Sequence, residues 1–476
     1  MKEQWKRVEI KSHLMIENVS SAAYKMKFIQ NTSDILLALG VAGKHRSPIK
    51  DFCIDSRKAK KNSIFIGLTG SNEDGSKYCD DAFSNGAVFA IIKAKKGMNV
   101  NKLKDNTLCV SNPEKALAQL AQVALTNFTG PVIGITGSNG KTTTKNILST
   151  GINNSFSTFK NFNNEIGLPL CALMLDSKNE AAVFEMGAAK KGDIHFLSKI
   201  IQPDIGIITH IGHSHLLGLN SLKGVLEVKS ELIHNIKKNG TAIVPNGPHL
   251  NYWRKLRKDI TFITFGLDES AEFFPRNIEY SSAGISFSIQ SQYFKNEIRV
   301  STPLMGKHNI LNILAAFSSV YKLNGDMTFF LNSLKSFKNE PQRLEFQPWI
   351  NQSNLINDSY NANPDSVKAA IDVLHQMRGR KIMILGDMKE LGRFRKKFHK
   401  EIGEYAKIKK LDLFLGFGDL ARHAVDSFGS SGIFFDSKIA LTEFLKSEIS
   451  KNDYVLLKGS RGMQMEEFIN IGGRDD

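Results

Sequence analysis

The sequence has few cysteines, four in 476 residues. None belongs to a C-x-x-C pair, and four scattered cysteines are too few for a disulfide framework or a zinc module. No apolar run approaches the roughly 18 residues that a membrane helix requires. Residues 1–7 are charged and are not followed by an apolar segment of the secretory type. We therefore expect reduced packing cysteines, a cytoplasmic location and no membrane insertion. The cysteines are Cys53, Cys79, Cys109 and Cys171.

Acidic residues are scarce relative to basic ones, with 47 against 63 and a net charge of +16. Such an excess is compatible with nucleic-acid binding. However, the lysines are spread along the chain, and no dense basic block interleaved with aromatic residues occurs. We therefore favour a lysine-rich surface with sites for anionic small molecules, and expect no nucleic-acid partner.

Length and the order of apolar segments predict three α/β domains, at 1–129, 130–340 and 341–476. In the first, Asn112 followed by Pro113 predicts the start of a helix, and a breaker cluster at 129–131 ends the domain. In the second, short apolar strands alternate with helices, which is typical of a mostly parallel sheet, and the alternating segment 285–289 predicts an inserted antiparallel strand. The third repeats the alternation and is predicted to be Rossmann-like. The predicted parallel strands are 132–135, 182–184, 205–208, 242–244, 381–385, 411–415 and 454–457.

The strongest motif is Ile-Thr-Gly-Ser-Asn-Gly-Lys-Thr-Thr-Thr at 135–144, between a predicted strand and a predicted helix. Small residues let backbone N–H groups wrap a phosphate chain, and the helix N-terminus adds a favourable dipole. Lys141 then reaches the β- and γ-phosphates, while Thr142 ligates Mg²⁺. Ile135 replaces the first glycine of G-x-x-x-x-G-K-[ST], but the strand and helix on either side disfavour a chance turn. The remaining predicted nucleotide contacts are Gly137, Ser138, Asn139, Gly140 and Thr143.

Polar side chains also stand where two other predicted strands end. Glu185 follows one strand, and carboxyl ends of strands face the ligand crevice in open α/β sheets. A metal-bound nucleotide needs such an acidic group, although a strand-end glutamate can simply be solvated. His210, His213 and His215 follow the next strand. Zinc is one interpretation of three histidines, but no acidic partner follows, so we favour a nucleotide-site metal ligand for one of them.

Lys229 occupies an unusual position on a helix predicted to begin near Lys223. It lies in the middle of an apolar stripe, where an ammonium is costly unless it is paired or its charge is changed. The alternative is a lysine whose stem is buried and whose head reaches solvent at a domain edge. The stripe consists of Leu222, Val225, Leu226, Leu232, Ile233 and Ile236.

Five more polar clusters, at 306–312, 342–345, 357–365, 385–392 and 458–462, stand at predicted strand or helix ends. Asn363 and Pro364 suit the cap and first position of a helix. Taken together and in this order, these segments and the phosphate loop resemble the Mur ligase family over almost the whole chain. The runs 358–364 and 386–392 resemble the member that adds D-alanyl-D-alanine. The neighbouring ligase usually carries Tyr-Ala-His-x-Pro instead.

The resemblance implies an ATP-dependent ligase of peptidoglycan synthesis, which joins D-alanyl-D-alanine to a UDP-linked muramoyl tripeptide through an acyl phosphate. It implies a cytoplasmic monomer that serves cell shape and division. Lys141, Lys229, Arg343 and His215 would be catalytic, and Thr142, Glu185, His215 and a carbamylated Lys229 would hold Mg²⁺. Asn309 and Asn312 would face adenine, Arg343 the γ-phosphate and Asp358 the ribose. The substrate-binding residues would be Asp55, Ser56, Arg57, Asn163, Asn164, Tyr360, Asn361 and Asn363.

Three positions depart from the family pattern. Ser76 stands where the family usually has His, His210 replaces a usual Asn, and Leu217 replaces a usual Glu. These put local contacts with the UDP-substrate and the metal in question, but not the ATP site. Competing interpretations are a folylpolyglutamate synthase, disfavoured by the UDP-type segment at 55–75, a P-loop regulatory or nucleic-acid-binding ATPase, and a ligase-like protein without activity.

Overall fold

The computed structural model describes residues 28–70, 73–95, 99–281 and 283–471, so the charged segment 1–7 lies outside the described residues. Within the described ranges, no helix has the length and apolar character needed to cross a membrane. The described residues form two compact units. One lies within Met1–Val132, Asn154–Met186 and Phe196–Gln202, and the other lies within Ile133–Asn153, Gly187–His195 and Pro203–Asp476.

The first unit contains a five-stranded sheet in the order β1-β2-β3-β5-β4, parallel except for the β4–β5 pair. Strand β2 is buried along its whole length, because helices or loops cover both faces of a parallel sheet. Ile64, Ile66 and Phe89 pack on one face, and Phe65 and Ala90 on the other. The elements are α1 (Thr32–Ala38), β1 (Asp51–Cys53), β2 (Ser63–Gly67), α2 (Cys79–Ser84), β3 (Ala87–Lys93), β4 (Lys102–Lys104), β5 (Thr107–Val110) and α3 (Pro113–Thr126).

Helix α3 begins where the sequence predicts it. The Asn112 side chain accepts a hydrogen bond from the Lys115 N–H, and Pro113 stands in the first turn. The unit also contains the parallel pair β7 (Phe156–Ser157) and β8 (Ala182–Glu185), and helix α5 (Gly167–Ala172). All four cysteines lie in the described ranges, and none forms a disulfide bond. Burial raises the pKa of the Cys53 thiol to about 12, so it remains protonated and unreactive.

The second unit contains the main run of parallel strands, β11-β10-β9-β6, with β12, β13 and β14 added at one side. The pairs β12–β13 and β13–β14 are antiparallel, which confirms the predicted antiparallel strand at 285–289. The strands are β6 (Val132–Thr136), β9 (Ile205–Ile208), β10 (Thr241–Pro245), β11 (Thr261–Phe265), β12 (Phe273–Ser281), β13 (Gly284–Ser291) and β14 (Ile298–Thr302). Helix α6 (Asp193–Ile201) belongs to this unit only at residues 193–195. The other helices are α4 (Lys141–Gly151), α7 (Leu216–Leu219), α8 (Leu222–His234), α9 (Leu250–Leu256), α10 (Lys307–Lys322) and α11 (Met327–Lys335).

A further sheet of the second unit has the order β15-β16-β20-β17-β18-β19, with only β15 antiparallel among its strands. Its core includes Leu355, Ile384 and Leu457. The elements are β15 (Glu345–Pro348), β16 (Asn354–Asp358), α12 (Pro364–His375), β17 (Lys381–Gly386), α13 (Arg395–Ile408), β18 (Leu413–Phe417), α14 (Arg422–Phe428), β19 (Gly432–Phe435), α15 (Lys438–Glu448) and β20 (Tyr454–Lys458).

The strand predicted at 411–415 begins two residues later, because Leu411 belongs to the turn that follows and caps α13. Lys410 has a φ of 53°, and the Leu411 N–H donates to the Ala406 carbonyl, as in a helix that ends with a left-handed residue. Most strand pairs in the described sheets are parallel, and helices connect many of the strands. This confirms the predicted α/β fold class. The domain limits 1–129, 130–340 and 341–476 stay a prediction.

The core of the last sheet allows a matched test of packing. Ile384 in β17 is fully buried, whereas Ile439 in α15 is 71% exposed. We expect Ile384→Ala to lower the opening free energy of β17 by about 2–5 kcal/mol, because it leaves a cavity. Ile439→Ala should change it by less than about 0.5 kcal/mol. Native-state hydrogen exchange of peptides covering Lys381–Gly386 measures both, and equal effects would contradict the packing described here.

Candidate active site

The loop between β6 and α4 depends on two glycines. Gly137 has a φ of 148° and Gly140 a φ of 83°, conformations that favour glycine. A Cβ at Gly137 would lie 2.1 Å from Thr209 Oγ1, and one at Gly140 would lie 2.2 Å from Asn312 Oδ1. Both positions therefore exclude any side chain, for reasons of backbone conformation and of space.

The turn after β9 holds this loop in place. The Ser138 N–H donates to the His210 carbonyl at 2.8 Å, and the Ser138 hydroxyl donates to the Gly212 carbonyl at 2.9 Å. Thr209 Oγ1 donates to the Asn139 carbonyl at 2.5 Å. These bonds fix the loop backbone ahead of α4, whose N-terminus favours phosphate.

Lys141 and Thr142 begin α4 at the end of the loop. The Lys141 ammonium donates to the Gly137 carbonyl at 2.8 Å, so it lies across the loop that the sequence assigns to phosphates. Arg343 Nη2 donates to Thr142 Oγ1 at 3.1 Å, and its guanidinium lies 4.1 Å from the centre of the Tyr360 ring. Arg343 therefore lies at the phosphate loop, where the sequence predicts it to approach the γ-phosphate.

Asn363 also reaches the loop. Its side chain caps α12 by accepting from the Ser366 N–H, as predicted. Its Nδ2 donates to Asn139 Oδ1 at 2.7 Å, and Asn139 Nδ2 donates to Asn363 Oδ1 at 3.3 Å. Residues 224 positions apart thus exchange two hydrogen bonds at the phosphate loop. Asn361, also predicted to bind substrate, offers its carbonyl to the Lys458 ammonium at 2.9 Å.

Asn309 and Asn312 are buried beside the phosphate loop. Asn312 Nδ2 donates to Asn309 Oδ1 at 3.0 Å, and Asn309 Nδ2 donates to the Met305 carbonyl at 2.8 Å. The Thr144 hydroxyl donates to Asn312 Oδ1 at 3.4 Å. The two amides thus support the start of α4 from behind, and their contact with adenine stays a prediction.

Glu185, at the end of β8 in the first unit, is only 3% exposed. Its Oε1 accepts from Asn163 Nδ2 at 2.8 Å. Its Oε2 is buried with no hydrogen-bond partner in the described part of the chain. A buried carboxylate oxygen without a donor is costly unless a cation compensates it. This oxygen therefore fits a hard divalent cation. Neighbouring Asn164 accepts from the Gly167 N–H at 2.8 Å and shapes the loop before α5.

The three histidines after β9 have different partners. His215 Nδ1 lies 2.7 Å from Glu390 Oε2, and this hydrogen bond lowers the pKa of the Glu390 carboxyl. His213 contacts Asp365, with Nδ1 3.4 Å from Oδ2. Burial lowers the pKa of His210, which keeps its ring neutral. Among the residues that the structure describes, no group of three His, Cys, Asp or Glu side chains could hold a metal ion.

Lys229 is 0% exposed on α8, which excludes the alternative of a head group in solvent. Val225, Val228 and Leu232 are buried on the same helix. The predicted apolar stripe is wrong at Leu222, which is 37% exposed. Leu222 is the first residue of α8, next to the Ser221 cap, and the helix end there turns toward solvent.

Asp358 is paired with Lys458, a residue of the polar cluster 458–462 to which no role was assigned from the sequence. The Lys458 ammonium at the end of β20 forms an ion pair with the Asp358 carboxylate, and only 3% of the lysine side chain is exposed. Asp358 Oδ1 accepts from the Leu344 N–H at 3.2 Å. Burial lowers the pKa of nearby His308 to about 4, so that ring is neutral. The contact of Asp358 with ribose stays a prediction.

The loop at the carboxyl end of β17 is joined to the loops after β18 and β20 by residues that the sequence patterns did not identify. Asp387 Oδ1 accepts from the N–H groups of Leu420 and Ala421, each at 2.9 Å. Ser460 Oγ accepts from the Lys389 N–H at 2.7 Å. Asp387, Glu390 and Ser460 lie in the polar clusters 385–392 and 458–462. Their position directly after predicted strands is the signal that could have identified them.

His399 was missed because it lies on the buried face of α13, where a histidine has no distinctive pattern. Its Nε2 accepts from the Met388 N–H at 3.0 Å, and its Nδ1 faces the Arg395 carbonyl at 2.7 Å. It therefore supports the loop after β17.

The predicted UDP-substrate segment lies in the first unit. Asp55 caps a short turn by accepting from the Arg57 N–H, and its carboxylate pairs with the Arg57 guanidinium at 2.8 Å. The Arg57 side chain is 67% exposed there, while Ser56 is buried. Ser76, where the family usually has His, donates its N–H to Asp74 at 3.0 Å. The segment thus presents a fixed cation suited to an anionic ligand.

Comparison with known proteins gives the family. The model of the Mur ligase middle domain matches residues 135–320, and that of the Mur ligase, glutamate ligase domain matches residues 342–461. The chain is 34% identical to a UDP-N-acetylmuramoyl-tripeptide--D-alanyl-D-alanine ligase of Bacillus subtilis, over 87% of this chain and 91% of that one.

Two solved structures extend the likeness. MurF from Acinetobacter baumannii matches with a TM-score of 0.84 and 28% identity, over 91% of this chain and 96% of that chain. MurF ligase from Thermotoga maritima in complex with ADP matches with a TM-score of 0.78 and 30% identity, over 88% and 96%. The sequence resemblance is thereby confirmed, and the chain belongs to the Mur ligase family, alongside its D-alanyl-D-alanine-adding members.

Proposed function

We propose that this chain joins D-alanyl-D-alanine to UDP-N-acetylmuramoyl-tripeptide at the expense of ATP. The observation that carries the proposal is the phosphate loop, with Lys141 across it and both Arg343 and Asn363 bound to it. A loop of this shape binds nucleoside triphosphates. The names of its relatives supply the two other substrates. Peptidoglycan synthesis, cell shape and cell division follow as its biological role, in the cytoplasm and as a monomer.

In the proposed reaction, a carboxylate oxygen of the tripeptide attacks the γ-phosphorus of ATP, and ADP leaves. The amine of D-alanyl-D-alanine then attacks the acyl phosphate carbon, phosphate leaves, and the amine loses a proton. Lys141 and Arg343 stabilise the charge on the transferring phosphoryl group. Asn309 and Asn312 would meet adenine, and Asp358 the ribose. Asn139 and Asn363 hold the loop near the reacting groups, which restricts water that would hydrolyse the acyl phosphate.

A divalent cation, Mg²⁺, would neutralise phosphate charge when bound. In the second unit, Thr142, His215 and Lys229 would hold it, and the resemblance adds Glu185, whose unpaired Oε2 fits this role within its own unit. Lys229 fits only if its charge changes, because a fully buried ammonium next to a cation is unfavourable. Carbamylation would make it an anion.

Asp55, Ser56 and Arg57 would bind the UDP-substrate, with Asn163 and Asn164 near the tripeptide. Tyr360, Asn361 and Asn363 would form the dipeptide site. Arg57 is suited to a diphosphate because its guanidinium is exposed yet oriented by Asp55.

We expect Lys141→Ala to lower kcat by at least about 10²-fold while the fold is kept, since removing a preorganised charge from the transition state costs this much. Phosphate release dependent on D-alanyl-D-alanine measures it. Lys258→Ala, at an exposed lysine, is the matched control and should behave as the parent chain. A Lys141→Ala chain with more than about a tenth of the parent kcat would refute the assignment.

D-Alanyl-D-alanine should be the preferred nucleophile, because the Asp358-to-Pro364 run resembles the dipeptide-adding ligases. A panel of amino acids and dipeptides, each with UDP-muramoyl-tripeptide and ATP, compares kcat/KM. Faster turnover with diaminopimelate or L-lysine would assign the chain to the neighbouring ligase. ATP hydrolysis stimulated by nucleic acid, without the dipeptide, would instead favour a P-loop ATPase of another class.

Lys229→Ala should lose most activity, and acetate should restore part of it by occupying the vacated ligand position. The reason is that burial lowers a lysine pKa and so raises the neutral fraction that reacts with CO₂. Incubation with ¹³C-bicarbonate should give a carbamate NMR signal that Lys229→Ala lacks. A chain without that signal, together with near-normal activity in Lys229→Ala, would rule out carbamylation.

A further inference from the structure

Glu390 contacts the turn that carries His215 through both its side chain and its backbone. Its Oε2 lies 2.7 Å from His215 Nδ1. Its carbonyl accepts from the Leu217 N–H at 2.9 Å. The side-chain and backbone contacts together define one orientation of the segment against the turn.

Both residues of this contact have left-handed backbones. His215 has a φ of 52° and Glu390 a φ of 65°. A non-glycine residue in this region is strained, and such conformations persist where the surroundings impose them. Here the imposing contacts are the Met388 N–H to His399 and the Lys389 N–H to Ser460. The segment before Glu390 is therefore fixed by buried partners in α13 and in the loop after β20.

The chemistry of the contact sets the tautomer of the imidazole. A carboxylate can only accept, so His215 must donate through Nδ1–H. In a neutral ring the lone pair then resides on Nε2. Carboxylates that accept from one ring nitrogen orient the other nitrogen toward metals in many proteins.

We propose that Glu390 is a positioning residue, which fixes His215 in the tautomer and orientation that present Nε2 to the metal. This inference rests on the proposed role of His215 as a metal ligand. Because Glu390 belongs to the loop after β17, His215 is oriented only while that loop contacts the turn before α7. The metal ligand and the placement of the last sheet are thereby coupled through one side chain.

The first test reads the tautomer directly. The full chain is labelled with ¹⁵N-histidine and studied without added metal, well above the usual histidine pKa of about 6.5; His215→Gln assigns the ring signals. The parent chain should show His215 with Nδ1–H. Glu390→Ala should give a mixture of tautomers, whereas Glu390→Gln should keep Nδ1–H, because its amide oxygen still accepts. An unchanged His215 spectrum in Glu390→Ala overturns the proposal.

The second test measures Mg²⁺ dependence of ligation in the full chain. The Mg²⁺ concentration for half-maximal rate should rise about 10-fold or more in Glu390→Ala, and much less in Glu390→Gln. Glu404→Ala, at an exposed carboxylate of α13, is the control and should match the parent chain. An equal rise in Glu390→Gln and Glu390→Ala, or none in either, contradicts a positioning role.

His215→Ala distinguishes the proposed metal role of His215 from the positioning role of Glu390. If it leaves the Mg²⁺ dependence unchanged, the proposed metal role of His215 fails. If it raises that dependence while Glu390→Ala does not, only the inference about Glu390 fails. Should Glu390→Ala not fold, the comparison of Glu390→Gln with Glu390→Asp serves the same purpose, since a retracted carboxylate loses the bond to His215 and should raise the Mg²⁺ requirement.

Discussion

The backbone conformation of the loop Gly137–Gly140 is the constraint on which the remaining site depends. Its two left-handed glycines leave no room for a side chain, because Thr209 and Asn312 occupy the space where each Cβ would stand. The loop can therefore present its N–H groups only in one arrangement. Hydrogen bonds from the turn after β9 fix that arrangement from one side, and the two buried asparagines of α10 support it from the other.

A second theme is the number of charged groups kept in the interior. Lys229 and Lys458 are almost completely buried, as is Glu185 in its own unit. Buried charges add little to stability even when paired, because removing them from water is costly. Their presence at two strand ends and in the middle of α8 therefore indicates function. The same reasoning applied to sequence alone singled out Lys229, which interrupts an apolar stripe, whereas Glu185 was singled out because it ends a predicted strand.

Local patterns predicted much of the fold. The strand at 205–208 was placed at its observed limits, and the Asn112 and Asn363 caps were identified from a polar residue followed by proline. The errors have local causes as well. Leu222 was assigned to the buried stripe by its spacing, although it belongs to the exposed first turn of α8. Leu411 was assigned to a strand because the sequence does not show that Lys410 adopts the left-handed conformation that ends a helix.

What the sequence could not give are the pairings that cross long distances in the chain. The amides of Asn139 and Asn363 meet over 224 positions, and Arg343 meets Thr142 over 201. No spacing rule predicts such contacts, because they depend on which loops the strand order places at a common edge. The sequence therefore identified the functional side chains, but it did not show which of them contact one another.

That dependence has a consequence for how catalysis is controlled. Residues 343, 363 and 390 each bond to the phosphate loop or to the histidine turn, yet none lies on the strands that carry those features. Conformational closure that completes a catalytic set also commits the substrate and excludes water. Without these three contacts, Thr142, Asn139 and His215 lose that support. In the proposed reaction, the acyl phosphate, which water destroys readily, would therefore form only in the arrangement that also protects it.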